Sequence, residues 1–501
     1  MTPTRDLARS LLGPAAVFAF AVVVHYDVLS FALLGWDTYA TILASRIESG
    51  ADLAGTFTEL MMDGKLETGD FYRPVGNLSI AVDYALWGLE PFGYQLTHLL
   101  LFGACAAGIF AVARKLLEPG GGWLAPLVGA AFFVLHPLVL SVLPIVARRT
   151  ELLAALFVLS ALLVLPTRAA DDCGPARPWA ISVLAVLAFG SKESGLVVLP
   201  LLLVALWTTR EDLEPAQRMR CAVRTLGPSA LLCSVAFAVR MAVIGGLGGY
   251  DEPAAGSYLV RLFDGLQGYT SLLGMTSPWD TWRPAALLGT ATVVGATALG
   301  LGAAWLGPAS MRAEAQGSGP LMLVGATWLV LQVVVAANSV EFSPRYAFSA
   351  LAGASLMLAA FVEAGRRLVE VGSGSARAVG LTLLVLAVTF AIGGLRGSPA
   401  WRDYSWLAEA SRILHEELAA LASELEKDPP EGPRRFSVQR QVVIRDRGVD
   451  NAWMLAPWSV QSWVDLAFPD LRLRVEFDNY KPRSPKYWHL VMEPAPERGG
   501  D

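Results

Sequence analysis

Tyr94 to Lys115, YQLTHLLLFGACAAGIFAVARK, decides the fold. From Tyr94 to Ala113 the run contains no Asp, Glu, Lys or Arg, and a helix of that length rises about 30 Å, the thickness of a bilayer's hydrocarbon core. The basic pair Arg114-Lys115 follows at once. An apolar run closed by Lys or Arg is how a membrane helix ends on the cytoplasmic side. Working outward, comparable blocks recur from Leu11 to Leu395, at roughly residues 11–33, 94–113, 123–143, 150–166, 178–191, 194–208, 225–245, 284–306, 320–337, 346–364 and 378–395. That makes about eleven helices, since a bilayer admits only helices or closed barrels and barrel alternation is missing from these blocks.

Composition agrees. Of 501 residues 54% are hydrophobic and 17% charged, against about 25% charged in an average soluble domain. A formal net charge of −5 offers nothing to nucleic acid. With the N-terminus cytoplasmic, Arg5/Arg9, Arg114/Lys115, Arg168/Arg177, Arg210/Arg218/Arg220/Arg224, Arg312 and Arg366/Arg367/Arg377 all fall on the inner side. An odd number of spans then carries everything after Leu395 outside. The stretch Gly256 to Met275 is apolar, but counting it as a span would invert the later basic loops, so it reads as an interfacial or re-entrant helix. The first apolar stretch continues past Ala40 without a small-residue cleavage site and reads as a retained helix rather than a leader. Cys105, Cys173, Cys221 and Cys233 fall in the membrane or in inner loops, without metal-ligand spacing, and no structural disulfide is expected.

The expected architecture is an all-α polytopic transmembrane bundle over residues 1–400, with a large first outer loop at 35–92 and a small α/β non-cytoplasmic appendage over 401–501. The appendage begins with an amphipathic helix, Tyr404 to Lys427, breaks at Asp428-Pro429-Pro430, and shows strand-like alternation near Phe436–Ile444, Leu471–Phe477 and Trp488–Met492. In the first outer loop, Pro74 forces Arg73 into an extended conformation, ahead of a helix expected near Asn77.

Several basic residues break the inner-side rule: Arg73, Arg148, Arg149, Lys192, Arg345 and Arg402 lie outside, and Arg240 lies at the outer end of its helix. Asp37, Asp70, Glu151, Glu193 and Glu341 accompany them. Ionisable groups at this level are costly and mark a substrate path. Arg and Lys at the headgroup level suit a lipid phosphate, whose oxygens accept charge-assisted hydrogen bonds. The competing reading is local ion pairing, Glu151 with Arg148 and Lys192 with Glu193. Asp37, in Gly35-Trp36-Asp37-Thr38-Tyr39, has two readings of equal standing: a general base in an aromatic-walled position, or the N-cap of a helix starting at Tyr39.

The residues also carry a resemblance. Tyr72-Arg73-Pro74-Val75, Leu78-Ser79, Asp83-Tyr84, Leu86-Trp87-Gly88-Leu89, Pro91, Gly93-Tyr94 and Leu99-Leu100-Leu101 resemble the signature of membrane-embedded, lipid-dependent (GT-C type) glycosyltransferases. Within that class they are most similar to relatives of the protein O-mannosyltransferases that carry transmembrane and tetratricopeptide repeats. His136-Pro137, Arg149-Thr150-Glu151-Leu152-Leu153, Ser191-Lys192-Glu193-Ser194-Gly195, Glu341, Arg345-Tyr346 and Trp401-Arg402-Asp403 match later blocks in order. The resemblance implies a sugar donor linked to polyprenyl phosphate, an acceptor hydroxyl on the outer face and an inverting transfer. Asp37 would be the base, and Arg149, Lys192, Arg240 and Arg345 would hold the donor phosphate. Arg240 enters that set by depth alone. Tyr72, Arg73, Asp83, Glu151, Glu193, Glu341 and Tyr346 would support the substrate or the site.

Two departures stand out. The family's second acid in the first loop is Thr38 here, and its His and Glu after His-Pro are replaced in Leu138-Val139-Leu140-Ser141. They leave open whether a divalent metal takes part, and the tail has no helical repeats for selecting a protein acceptor. A transporter or lipid-binding module, or an assembly subunit that kept the fold without the chemistry, are the alternatives. Composition rich in Ala, Gly, Leu and Arg with few Lys suggests a bacterial plasma membrane and an undecaprenyl-type carrier.

Overall fold

The computed structural model describes residues 3–34, 37–64, 69–117, 122–167, 176–246, 248–250, 258–262, 317–336, 344–371 and 374–395. In the C-terminal region it describes 412–413, 415–416, 419–420, 422–424, 427, 435–437, 457–469, 473–477 and 488–492. The expected span at 284–306, most of the expected re-entrant stretch, Glu341, Arg402 and Cys173 lie outside the described residues.

The apolar blocks form helices α1 (Pro3–Val24), α5 (Pro91–Leu116), α6 (Leu124–Leu135), α7 (Arg149–Val164), α8 (Ala176–Ser191), α9 (Val198–Thr209), α10 (Pro215–Ile244), α11 (Gly319–Ala336), α12 (Ala347–Val371) and α13 (Gly374–Leu395). Three of them, α5, α10 and α12, are long and apolar enough on their own to cross a membrane. Between α1 and α5 lie α2 (Thr38–Ser45), α3 (Gly50–Thr58) and α4 (Pro74–Trp87).

Several boundaries differ from the sequence reading, each for a local reason. α1 ends at Val24, where His25 turns inward to hydrogen-bond the Val134 carbonyl, and a 3-10 turn covers Tyr26–Ser30. α6 ends at Leu135 because Pro137 cannot continue it; a 3-10 turn over Pro137–Ser141 follows. α10 starts ten residues before the expected 225, at Pro215, where Glu214 and Gln217 form a reciprocal capping box. α4 starts directly at Pro74, whose fixed φ suits the first helical position; Arg73 before it, at φ −138° and ψ 62°, avoids the helical region as Pro74 requires but falls short of the extended conformation expected.

α12 is the hub. It packs against α6, α11 and α13, and each crossing runs over small residues. A Cβ on Gly325 would come within 2.7 Å of the Gly353 carbonyl oxygen, and one on Gly353 within 2.6 Å of the Gly325 oxygen. Gly365 and Gly380 meet likewise, at 3.0 and 2.8 Å, and Gly129 faces the Ser355 oxygen at 2.6 Å. In lipid, where apolar burial does not drive helices together, such backbone contact supplies the packing.

The contacts also sort the helix ends. Lys115 donates to the carbonyls of Leu163 and Leu165 at 2.5 Å, closing the end of α7 beside the end of α5. At the opposite end the starts of α5, α7 and α12 meet the ends of α8, α10 and α11: Arg149 bonds the Tyr94 carbonyl, Arg240 reaches Glu193, Lys192 lies against Tyr346, and Gln332 contacts Ser194.

This second end is roofed by α2, α3 and α4. A two-residue strand β1 (Gly69–Asp70) pairs antiparallel with β2 (Gly249–Tyr250), tying the first loop to the chain after α10. In the C-terminal region, the described residues from 412 to 427 are helical. α14 (Pro457–Ala467) and a three-stranded antiparallel sheet follow, in the order β3 (Arg435–Ser437), β5 (Trp488–Met492), β4 (Leu473–Phe477). The remainder of the expected strand 436–444 lies outside the described residues. Ala422, Val460, Trp463, Val464 and Leu466 share a small core with Leu33, Tyr39, Ile42, Ile80, Tyr94 and Val146, so this region packs onto α2 and α4.

Candidate active site

Asp37 occupies the N-cap position of α2, yet its side chain makes no capping hydrogen bond. The backbone turn is made instead by the Asp37 carbonyl, which accepts from Thr41 N at 2.7 Å. Its carboxylate faces the charges of Arg345, Arg148 and Arg73. Burial raises the Asp37 carboxyl above its ordinary range, and the three arginines reduce that rise without cancelling it. Thr38, at the position of the family's second acid, is 1% exposed and donates its hydroxyl to the Leu34 carbonyl at 2.5 Å.

The sequence Ser191 to Gly195 sets the next charges. α8 stops at Ser191, Lys192 is extended at φ −160°, and a 3-10 turn over Glu193–Val197 leads into α9. Gly195 permits the turn: a Cβ there would stand 2.1 Å from the Ala188 carbonyl oxygen. The extended Lys192 and the turning Glu193 therefore diverge. Lys192 Nζ pairs with Glu151 of α7. Glu193 receives both Nε and Nη2 of Arg73, at 3.4 and 3.0 Å, and has Arg240 Nη2 at 3.5 Å. Burial opposes ionisation of Glu193, but Arg73 and Arg240 outweigh it and hold the carboxyl at about 2. The local pairs expected from sequence are thus replaced by pairs between distant elements. Helix and turn geometry points neighbouring side chains in different directions.

Tyr346 links two cations. Lys192 Nζ lies 5.2 Å from its ring centroid and the Arg345 guanidinium 5.1 Å from it, and Arg345 Nη2 donates to its hydroxyl at 3.2 Å.

Arg149, expected among the phosphate ligands, is placed elsewhere. It is 1% exposed, pairs with Asp83 at 2.5 Å, and donates to the Ser79 carbonyl and hydroxyl and to the Tyr94 carbonyl. That buried knot, in which Thr97 also bonds Asp83, ties α4, α5 and α7 together and leaves Arg149 no face toward Asp37. Its neighbour Arg148 is the one whose charge reaches Asp37. Consecutive residues at a helix start diverge by about 100°, so a double arginine here offers the site one cation only. Tyr72 is likewise structural: its hydroxyl donates to the Phe57 carbonyl at 2.9 Å, pinning the end of α3.

Arg73, Arg148, Lys192, Arg240 and Arg345 thus share one end of the bundle with the carboxylates of Asp37, Glu151 and Glu193. Among the described residues the cations outnumber the carboxylates, which suits an anionic ligand. No three His, Cys, Asp or Glu side chains among the described residues come together as metal ligands.

No protein-family model matches the chain. It is 30% identical to human protein O-mannosyl-transferase TMTC2 over 132 residues, covering 26% of this chain and 15% of that protein. It is 31% identical to protein O-mannosyl-transferase Tmtc1 of Drosophila melanogaster over 136 residues, again 26% and 15%. The chain therefore spans about 15% of the length of these curated relatives. Among solved structures, ArnT from Cupriavidus metallidurans bound to undecaprenyl phosphate matches with a TM-score of 0.38 at 13% identity, over 98% of both chains. Its apo form matches at 0.39 and 13%, over 94% of this chain and 97% of that one. Over about a quarter of its length the chain resembles protein O-mannosyl-transferases, the relatives its motifs pointed to.

Proposed function

We propose that this protein transfers a sugar from a polyprenyl-phosphate donor to an acceptor hydroxyl at the non-cytoplasmic face of a bacterial plasma membrane. The reading takes with it the topology expected from sequence: about eleven spans, a cytoplasmic N-terminus, and a C-terminal region that lies outside. The observation that carries the reading is the Asp37 carboxylate, which caps nothing, is raised by burial and faces three arginines.

The chemistry follows from that placement. Asp37 accepts the proton of the acceptor hydroxyl as its oxygen attacks the anomeric carbon. The bond from that carbon to the phosphate oxygen breaks on the opposite face, and its electron pair stays on the phosphate, inverting the anomeric centre. Products are the glycosylated acceptor, polyprenyl phosphate and protonated Asp37. Arg345 and Arg148, with Lys192, Arg240 and Arg73 behind them, stabilise the charge that grows on the leaving phosphate. Glu151 and Glu193 hold those cations in place. No step is routed through a metal ion.

The test is Asp37→Asn in proteoliposomes carrying a radiolabelled polyprenyl-phosphate sugar and a membrane extract as acceptor. Transfer should fall by about 10²–10⁴-fold, with undecaprenyl phosphate still bound at wild-type affinity. Normal turnover by the variant sinks the assigned base. A wild-type protein that binds the lipid but transfers nothing favours the subunit reading, for which Thr38 is the supporting observation.

A further inference from the structure

The contact of the C-terminal region with the helix that begins after Asp37 is centred on an aromatic stack. Tyr39, two residues after Asp37 on α2, is 4% exposed. Its hydroxyl lies 3.4 Å from His415 Nδ1, and its ring meets the His415 ring edge-on at 5.0 Å and 85°. On its other side His415 is stacked on Trp463 of α14, at 4.6 Å and 28°. Trp463 is held edge-on by Phe468 at 6.0 Å. Around this stack Ala422, Val460 and Val464 pack against Ile42 and Ile80.

α2 does not fix its own direction. It is eight residues long and lacks a side-chain cap at its start, and at its end Arg46 Nε reaches the Leu43 carbonyl at 3.4 Å. An isolated helix of that length has no stability of its own. Its tilt is set by what packs on it: α4 and the Met61–Gly64 turn on one side, α14 on the other. A tilt of a few degrees, pivoted at the far end of α2, displaces its first residue by a substantial fraction of an ångström, and proton transfer is sensitive to such distances.

We propose that Tyr39, His415 and Trp463 are positioning residues through which the C-terminal region sets α2, and with it the Asp37 carboxylate, against Arg345 and Arg148. The inference rests on the reading of Asp37 as the base, and it gives the appendage a part in the reaction rather than in acceptor capture. Burial holds His415 neutral, at about 3, so the stack stays uncharged across the working range.

The experiment uses the full chain and two readouts. The first is hydrogen exchange at the amides of residues 38–45, compared with the α5 amides as an internal reference. The second is the split between kcat and KM in the transfer assay. His415→Ala and Trp463→Ala should speed α2 exchange at least tenfold, leave α5 unchanged, and lower kcat at least tenfold with the donor KM within twofold. His415→Phe, which keeps the stack and loses the Nδ1 contact, should lower kcat only severalfold. Tyr39→Phe keeps the ring and serves where a truncation fails to fold; it should lower kcat severalfold.

Wild-type exchange at α2 together with wild-type kcat in these variants overturns the proposal. So does a fall in activity that only tracks loss of folded protein. If the wild-type chain transfers no sugar, the functional reading fails, while the exchange arm still decides whether the appendage sets α2.

Discussion

Lys192 and Glu193 are neighbours in sequence and belong to different ion pairs: Lys192 joins Glu151, and Glu193 joins Arg73 and Arg240. The backbone between them changes from extended to 3-10. One short turn therefore connects α4, α7, α8 and α10 at the level of Asp37.

Glu193→Gln should unsettle this junction, because it leaves Arg73 and Arg240 facing each other without a counter-charge. The loss at neutral pH is on the order of 2 kcal/mol, kept modest because Glu193 is partly open to solvent. Its carboxyl is depressed in the folded state to about 2. The stability it contributes is thus complete above its unfolded pKa of about 4.3 and drains away as pH falls toward the folded value. Unfolding of wild type and Glu193→Gln, followed from pH 7 to pH 3, should show the gap between them shrinking to about half, since the contribution is lost fully only below the folded value.

Asp37 should behave in the opposite sense. Its carboxyl is raised in the folded state, so the stability it contributes is complete below its unfolded pKa and is lost as pH rises through the folded one. Asp37→Asn should therefore raise Tm at pH 7 while abolishing transfer. In the wild type, kcat/KM should fall as pH drops through an apparent pKa above 3.8, the ordinary value for this group. A variant less stable than wild type at pH 7, or a rate profile without that acid limb, contradicts the assignment.

The arginine pair offers a sharp contrast. Arg149→Ala strands Asp83 in the core and should cost about 3–5 kcal/mol, seen as a large loss of folded protein in detergent. Arg148→Ala should leave thermal stability within about 1 kcal/mol and weaken binding of undecaprenyl phosphate about tenfold. A reversed pattern in thermal unfolding and lipid titration would exchange their roles.

Tyr346→Leu removes the ring between Lys192 and Arg345, where each cation–π contact contributes about 0.5–1 kcal/mol. Undecaprenyl phosphate affinity should drop by several-fold. Tyr346→Phe, which keeps the ring and loses only the bond from Arg345, should stay within about threefold. Equal behaviour of the two variants would put the hydroxyl, not the ring, in charge.

Gly353→Val tests the hub. A side chain there meets the Gly325 carbonyl oxygen, which as backbone cannot move aside, so folded protein should be lost. Gly374→Ala, with open space around it, is the matched control and should express normally.

What the sequence reveals about this molecule follows the range of the signal. Long apolar runs mark helices because length and composition act locally, and Pro74 starts α4 within a turn of the expected Asn77, whereas the end of α6 at Leu135 and the start of α10 at Pro215 lie eight and ten residues from the expected 143 and 225. Motif order was enough to bring Lys192, Glu193, Arg345 and Tyr346 together as candidates, and they are neighbours in space. Which charge pairs with which was not legible. The choice between Arg148 and Arg149 depends on the rotation of α7, and that between Glu151 and Glu193 on a turn made possible by Gly195. The stack of Tyr39, His415 and Trp463 had no sequence signal at all, since it joins two regions that share neither motif nor periodicity. The pairing of β1 with β2 spans only two residues and was equally silent.

The aromatic stack also orders events in time. Tyr39 leaves the ribosome 376 residues ahead of His415, a delay of roughly 20–75 s at ordinary rates of synthesis. Throughout that interval α2 lacks the rings that later pack on it. On the proposed reading of Asp37 as the base, a chain still being made holds its base before it holds the segment that sets it, and transfer should begin only once synthesis has passed Trp463.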